Sequence, residues 1–594
     1  MRNDDGIKGV DIKLKHCDNE IINCTGCQYV DDSNTILKNY NYINRFLEIT
    51  DLFENVSGSK INVDKTVALT VKNELSQRIN GIKITTGPEK VLGISMGKSA
   101  DNFSEFWESK LQKLKCKLDI WRQRDLSFEG KSLLIKSLAI SQLTYAMEMK
   151  CVDKNIIQRA EKIIFDFLWS GKKSSVNREI CYLPRDKAGL GIPNLHTLVK
   201  VKRIRWIIRY LKEDSGQHWS KLIENYVRCL DNKFDIFLFC LKVTDSSDLL
   251  KDTSIPTFYK ECILFFQELL RKGKFDNKNG IIWCNADHKF KNKVLDIAHW
   301  SRSGVKVIPD LYSSNTLNPN ILKNKITHRA GFQFEFSKIR RIFPRQFFSP
   351  SENTLVNGNK KSILDQIIKV PEFGEKKIGE LTSKDIYLVL QSNNPHLVTS
   401  TNYWETKYNI YDMNWKEYYN LNLTNNFLPR KCKDFNFKLF HGRVNTCARL
   451  KIMNLSSDRC NICHSNIEDL EHLIFRCEHS KQIWSIVDNI LSSSLEEQFQ
   501  LNMIKSLLGV RQDALNNYDH KVLKFINMIL SITRFHIWKV RCSVKYGNEQ
   551  MSLQKSKGQL KYSLSSHLFL LKRSSDPTIK NLSYSTASMI ERIL

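Results

Sequence analysis

Three cysteines and a histidine near the C-terminal end have the spacing of a metal site. Cys460-x2-Cys463 is followed by eight residues, His472, four residues and Cys477. A C-x2-C knuckle offers two soft thiolates from one turn, and a His and a Cys five positions apart can still converge at the end of a helix. Three thiolates and one imidazole suit tetrahedral Zn²⁺ with no position left open for a reacting group, so structural zinc is expected. His464 and His479 are spare candidates, and a chance cluster of thiols is the alternative. The local apolar residues Leu439, Leu450, Leu470, Leu473, Phe475 and Trp484 are too few to order ~50 residues unaided. Zinc is therefore expected to supply folding free energy to the segment 435–488.

At the other end, Gln28-Tyr29-Val30-Asp31-Asp32 places two adjacent carboxylates after a strand-like run. Mg²⁺ takes hard oxygen ligands and keeps positions free for water and phosphate, which such a pair at a turn would allow. An Asp pair that only serves the turn is the alternative. Cys24-Thr25-Gly26-Cys27, with His16-Cys17 before it, offers a second possible metal cluster that would compete with the strand.

The charge of the chain restricts its partners. Its 594 residues hold 91 Lys+Arg against 63 Asp+Glu, a net +28. An excess spread along the whole length points to a polyanionic partner, RNA or DNA, with a membrane surface as the competing reading. A structural scaffold unrelated to nucleic acid fits that charge poorly. Hydrophobic residues make up 41%, enough for real cores, so wholesale disorder is not expected. No membrane partner is expected either, because no run of about 18 apolar residues exists. The most apolar stretch, Phe525 to Trp538, carries Arg534 and His536. MRNDDGIKG resembles no targeting peptide. The expected location is intracellular, in the cytoplasm and/or nucleus, where most of the 16 cysteines stay reduced.

Elements that would position these residues follow from periodicity. Ile and Val alternating through Gly6 to Ile12, then Ile21-Ile22, predict short strands, and Ile36 to Phe53 predicts a helix. Trp107, Leu111, Leu114, Leu118 and Trp121 form one helical stripe, and further helices are predicted from Lys131 to Met147 and from Ile156 to Trp169. Val201, Ile204, Ile208 and Leu211 form a stripe opposite Lys202, Arg205, Arg209 and Lys212. The basic side could track a phosphate backbone or could simply be solvated. Phe332 to Phe348 interleaves aromatic and basic residues, suited to stacking on bases or to helix packing. Ser313 to Asn320 and Ser349 to Lys361 read as linkers.

The order of motifs resembles a known family. Tyr29-Val30-Asp31-Asp32 is followed by Ser57-Gly58-Ser59-Lys60-Ile61-Asn62-Val63-Asp64-Lys65-Thr66, then by Val91-Leu92-Gly93-Ile94-Ser95-Met96-Gly97. This resembles the end of the reverse-transcriptase palm in non-LTR (LINE-type) retrotransposons. Phe167-Leu168-Trp169-Ser170-Gly171-Lys172, and Leu183-Pro184-Arg185 through Gly189 to Leu195, also match such proteins. Phe437 to Thr446 and Ile483-Trp484, flanking the cysteine cluster, resemble the zinc-binding region that follows many of these enzymes.

The resemblance implies roles. Asp31 and Asp32 would be polymerase carboxylates for Mg²⁺ or Mn²⁺, with Asp31 the preferred ligand. Lys65 would stand near the incoming nucleotide, its alternative being a solvated lysine beside a turn. Leu92, Gly93 and Ile94 would form the primer grip. The implied fold is α+β, mostly α: partial palm (1–100), helical thumb (101–212), basic helical connector (213–430), CCHC zinc domain (431–490) and helical tail (491–594). The implied function is RNA-directed DNA synthesis during target-primed reverse transcription. The family's fingers and first Asp motif have no match, and two-metal transfer needs an opposing carboxylate, so the chain is expected to be inactive alone. The alternative is a non-catalytic nucleic-acid-binding protein derived from a truncated element. No P-D…E-x-K arrangement follows Trp484, so no restriction-like nuclease is expected there.

Overall fold

A computed structural model describes residues 6–14, 20–24, 26–29, 32–70, 78–96, 103–212, 218–230, 255–273, 282–283, 288–295, 297, 299–300, 303–305, 308–314, 316–326, 330–345, 364–391, 399–512, 518–547, 549–550 and 552–594. The fold is mostly helical with several small sheets, the α+β class expected. It divides into two compact units. One comprises Met1–Lys113, Gln142–Arg159 and Leu195–Asn394; the other comprises Leu114–Ser141, Ala160–Asn194 and Pro395–Leu594.

The first unit begins with hairpins. β1 (Val10–Leu14) pairs antiparallel with β2 (Glu20–Cys24), and their alternation buries Leu14 and Ile22. β3 (Gly26–Tyr29) pairs with β4 (Asp32–Thr35) in the register Tyr29↔Asp32. Helix α1 (Tyr42–Ser57) starts later than its apolar pattern predicts and stops at Gly58 in the left-handed region, whose N–H reaches the Glu54 carbonyl. β5 (Val67–Leu69), β6 (Arg78–Ile79) and β7 (Ile82–Thr85) form a separate three-stranded sheet in the order β5-β7-β6. β8 (Glu89–Val91) and β9 (Ile94–Met96) close on a two-residue turn, Leu92-Gly93. Both turn residues have positive φ, +48° and +77°, as a hairpin turn of this hand requires. Glycine meets that demand freely and leucine does not, so the hairpin holds Leu92 in a conformation leucine disfavours.

The predicted helices follow. α2 (Phe103–Arg122) buries Trp107, Leu111, Leu114 and Leu118 of the stripe read from spacing, while Trp121 at its end is only half-buried. The run from Lys131 to Met147 contains a π turn, Ile135–Ile140, between α3 (Phe128–Leu134) and α4 (Ser141–Met149). α5 (Lys154–Leu168) gives way to Ser170 and Gly171, both with positive φ. In the first unit, α6 (Leu195–Lys212) buries Val201, Ile204, Ile208 and Leu211 against α7 (Thr257–Lys272), α8 (Ser383–Gln391) and the hairpin β10 (Ile367–Val370)–β11 (Gly374–Lys377).

The stretch Ser313 to Asn320 is not a bare linker. Tyr312–Ser313 pairs with Thr316–Leu317, and Asn318 caps a helix from Pro319 to Lys325 through its side chain. Asn-Pro at an N-cap and first turn reads as loop composition, yet it is also a helix start. The other expected linker, Ser349 to Lys361, lies outside the described residues. Phe332 stacks on Trp300 at 5.4 Å and packs inward, while Phe334 stays exposed with the Lys338 ammonium over its ring.

The longest helix of the second unit is the 28-residue α14 (His520–Gly547). The unit also contains α9 (Thr399–Tyr408) and α12 (Cys447–Ile452), and against α14 pack α10 (Trp415–Asn422), α11 (Arg430–Phe440), α13 (Glu478–Leu495), α15 (Leu553–Leu571) and α16 (Pro577–Ile593). The apolar stretch from Phe525 to Trp538 is thus core. Arg534 within it is fully buried, donating to the Leu507 carbonyl at 2.6 Å and to Asn422 Oδ1 at 2.9 Å. Among the described residues, no helix is long and apolar enough to cross a membrane.

Candidate metal centre and nucleic-acid-facing elements

The C-x2-C knuckle is a tight turn held by its own backbone. Cys460 N–H donates to the Asn466 carbonyl and His464 N–H to the Cys460 carbonyl, with His464 at φ +57°. The second ligand pair lies on a π turn, His472–Arg476, in which the Cys477 N–H bonds the His472 carbonyl at 2.8 Å. That bond spans five residues, the separation of the two ligands. The wider turn brings together side chains that an α-helix would rotate apart.

The four donor atoms of Cys460, Cys463, His472 and Cys477 lie within 4.8 Å of one another. A tetrahedron with metal–sulfur bonds of about 2.3 Å has edges of about 3.8 Å, so the set fits zinc with little adjustment. It is the one such group found among the described residues. His472 presents Nε2, 3.3 Å from Cys463 Sγ. Cys460, Cys477 and His472 are buried, leaving only Cys463 near the surface.

Hydrogen bonds act on the three thiols in different directions. The Cys460 thiol donates to Cys477, which lowers the Cys477 pKa and raises that of Cys460. Burial opposes a charged Cys463. The Ser465 hydroxyl and the backbone N–H groups of Asn466 and Ser465 outweigh it and hold its pKa below the usual thiol value. Such donors to sulfur orient metal ligands and soften their charge.

The knuckle is tied into the helical unit rather than standing alone. Glu468 is fully buried and receives Arg541 Nε at 2.9 Å and the Cys447 N–H at 2.9 Å. Trp484 Nε1 donates to the Ile474 carbonyl at 2.6 Å, and Phe435 packs on Phe535 and Trp538. The segment 435–488 therefore shares its core with α14. Glu471, also buried, accepts from Tyr408 and pairs with Lys407 and Arg476. Of the two spare candidates, neither belongs to the ligand group; His464 stands in the knuckle turn, and His479 is buried with both ring nitrogens unpartnered among the described residues.

The other expected site residues are described only in part. Asp31 lies outside the described residues, as do His16 and Cys17, and nothing is described of the Asp32 and Cys27 side chains; Asp32 opens β4 across from Tyr29. Lys65 is exposed in a turn, its N–H bonded to the Asn62 carbonyl and side chain. Leu92 and Gly93 form the β8–β9 tip, with Leu92 partly exposed. On α6, Lys202 pairs with Glu148 at 2.7 Å and Arg205 donates to the Leu381 carbonyl. Arg209 lies over the Trp206 and Trp219 rings. Cys24 Sγ is 3.4 Å from His218 Nδ1.

Two features escaped the sequence. Arg203, within the same helix, is fully buried and donates to Glu261 and to the carbonyls of Met147, Glu148 and Lys150. The Glu468–Arg541 pair spans 73 positions. Its only sequence trace is a second arginine seven residues after Arg534 on an apolar helix.

Residues 382–484 match the family described as zinc-binding in reverse transcriptase. The chain is also 22% identical over 517 residues to a Xenopus laevis protein named Transposon TX1 uncharacterized 149 kDa protein, covering 77% of this chain. It spans 38% of that relative's length.

Proposed function

We propose that this chain, which corresponds to a C-terminal portion of a non-LTR retrotransposon reverse-transcriptase protein, holds RNA and DNA during target-primed reverse transcription. The observation that carries the reading is the buried three-cysteine, one-histidine site inside a zinc-binding region of reverse-transcriptase type. Structural zinc there shapes a surface and leaves no coordination position for catalysis. The net charge of +28 supplies the attraction to phosphate.

Polymerase chemistry in this reading belongs to Asp31 and Asp32, which would hold Mg²⁺ or Mn²⁺, with Lys65 near the leaving pyrophosphate and the Leu92-Gly93 turn at the primer strand. Thumb-like helices and the α6 cations would flank the duplex. In-line transfer needs carboxylates from two motifs, and this sequence matches one. The purified chain is therefore expected to give no extension of a primer on an RNA template with either cation. Template-dependent extension that vanishes in Asp31→Asn would show that another residue completes the site and that the chain polymerises by itself. Binding without extension is the result this reading expects, and it is shared with the second reading, a non-catalytic nucleic-acid-binding protein derived from a truncated element.

A further inference from the structure

A cavity of about 400 Å³ opens in the second unit where α9, the end of α11 and the start of α12 meet. The residues that matter are Ser400, Tyr403, His441, Arg443 and Arg449, and no carboxylate lines it. His441 cannot supply its charge. Its Nε2 faces the Ala188 carbonyl at 2.9 Å and its Nδ1 faces the Ser400 hydroxyl at 2.9 Å. Burial pushes its pKa down to about 4, so it is a neutral floor.

The arginines are different. Arg449 donates one Nη1 bond to the Gly442 carbonyl, while its Nε is buried with no partner. Burial, then the nearby Arg443 charge, depress its pKa. Arg443 is exposed, and its guanidinium has no partner among the described residues. Two guanidinium groups that repel each other in a concave site, one with an unsatisfied donor, are an unfilled demand for an oxyanion. Arginine's planar fork matches phosphate in two-point contact. Tyr403, half exposed at the mouth, already carries the Lys407 ammonium over its ring, and Lys407 is held by Glu471.

We propose that this cavity is a phosphate subsite in which Arg443 and Arg449 grip one phosphodiester of a bound nucleic-acid strand. The proposal rests on the nucleic-acid reading of the chain. A free phosphate offers the same chemistry, so the test includes both sources. Anisotropy with labelled single-stranded RNA and DNA, on the full chain across a salt series, is compared for wild type, Arg443→Gln, Arg443→Lys and Arg449→Gln. Arg443→Gln should weaken binding about tenfold and shrink the salt slope by about one. Its melting midpoint should not move, since the side chain has no partner among the described residues. Arg443→Lys should keep the slope but recover only part of the affinity. Arg449→Gln loses the Gly442 bond as well, so its stability is measured alongside.

Wild-type binding with unchanged affinity and slope in Arg443→Gln would overturn the proposal while leaving the nucleic-acid reading intact. Calorimetry with inorganic phosphate is the second arm. A wild type that binds phosphate through Arg443 but binds neither RNA nor DNA would overturn the strand as the source, and with it the nucleic-acid reading.

Discussion

Replacing Cys477 by Ser is expected to remove stoichiometric zinc from the purified full chain, and Cys460→Ser should do the same. Both thiols are buried within 4.8 Å of the other two donors, and a serine hydroxyl neither ionises near neutral pH nor suits a soft-ligand site. Structural zinc contributes on the order of 10–16 kcal/mol in isolated finger peptides. In this chain the knuckle is also held by Glu468 and by the Trp484 bond to Ile474, so its loss should unravel the turn around Cys460–Cys477 without melting α14. His464→Ala and His479→Ala should retain about one zinc per chain. Metal analysis after gel filtration decides it. Full zinc in Cys477→Ser, or none in His479→Ala, would overturn the set Cys460, Cys463, His472 and Cys477. Because the core of 435–488 is completed by Phe535, Trp538 and Arg541, that fragment should fold around zinc far better when it continues through Gly547.

Arg541→Met should destabilise the second unit by about 3–5 kcal/mol, because it strands the fully buried Glu468 carboxylate. Burial opposes a charged Arg541, and Glu468 outweighs it and keeps the guanidinium protonated. The carboxylate retains only the Cys447 N–H, and its Oε2 has no partner even in the native chain. The double variant Glu468→Gln/Arg541→Met removes both charges while leaving an acceptor for that N–H. It should therefore be more stable than Arg541→Met alone. Urea unfolding of the two variants and wild type at neutral pH gives the comparison. A double variant less stable than the single one would mean that the pair contributes through packing rather than charge.

What is legible in the sequence is local. The Trp107–Leu118 stripe declares its helix because a period near 3.6 needs no partner to be seen, and each of its apolar residues is buried. The cysteine cluster is readable because C-x2-C carries its chemistry in one turn. The π turn that brings His472 and Cys477 together is not, since it depends on how α13 is anchored below by Trp484. Asn318 reads as loop rather than helix cap because capping and loop residues are the same residue types. On α6 the spacing separates core from cation. It cannot show that Glu148, 54 positions away, pairs with Lys202, or that Arg203 turns inward. The Arg443–Arg449 cavity needs Ser400 and Tyr403 from another helix, so composition alone leaves it invisible.

Binding of the full chain to single-stranded RNA and DNA is expected to weaken steeply as salt is raised, because the proposed grip is on phosphate. With a net charge of +28, contact to several phosphates is expected. For six to ten contacts, affinity should fall ~10³-fold or more between about 50 and 200 mM salt. Combined replacement of Lys202, Arg205 and Arg209 by Gln should flatten that slope if α6 contributes. An affinity that stays constant across the salt series, or no binding at about 50 mM, would mean that the chain does not hold nucleic acid through phosphate.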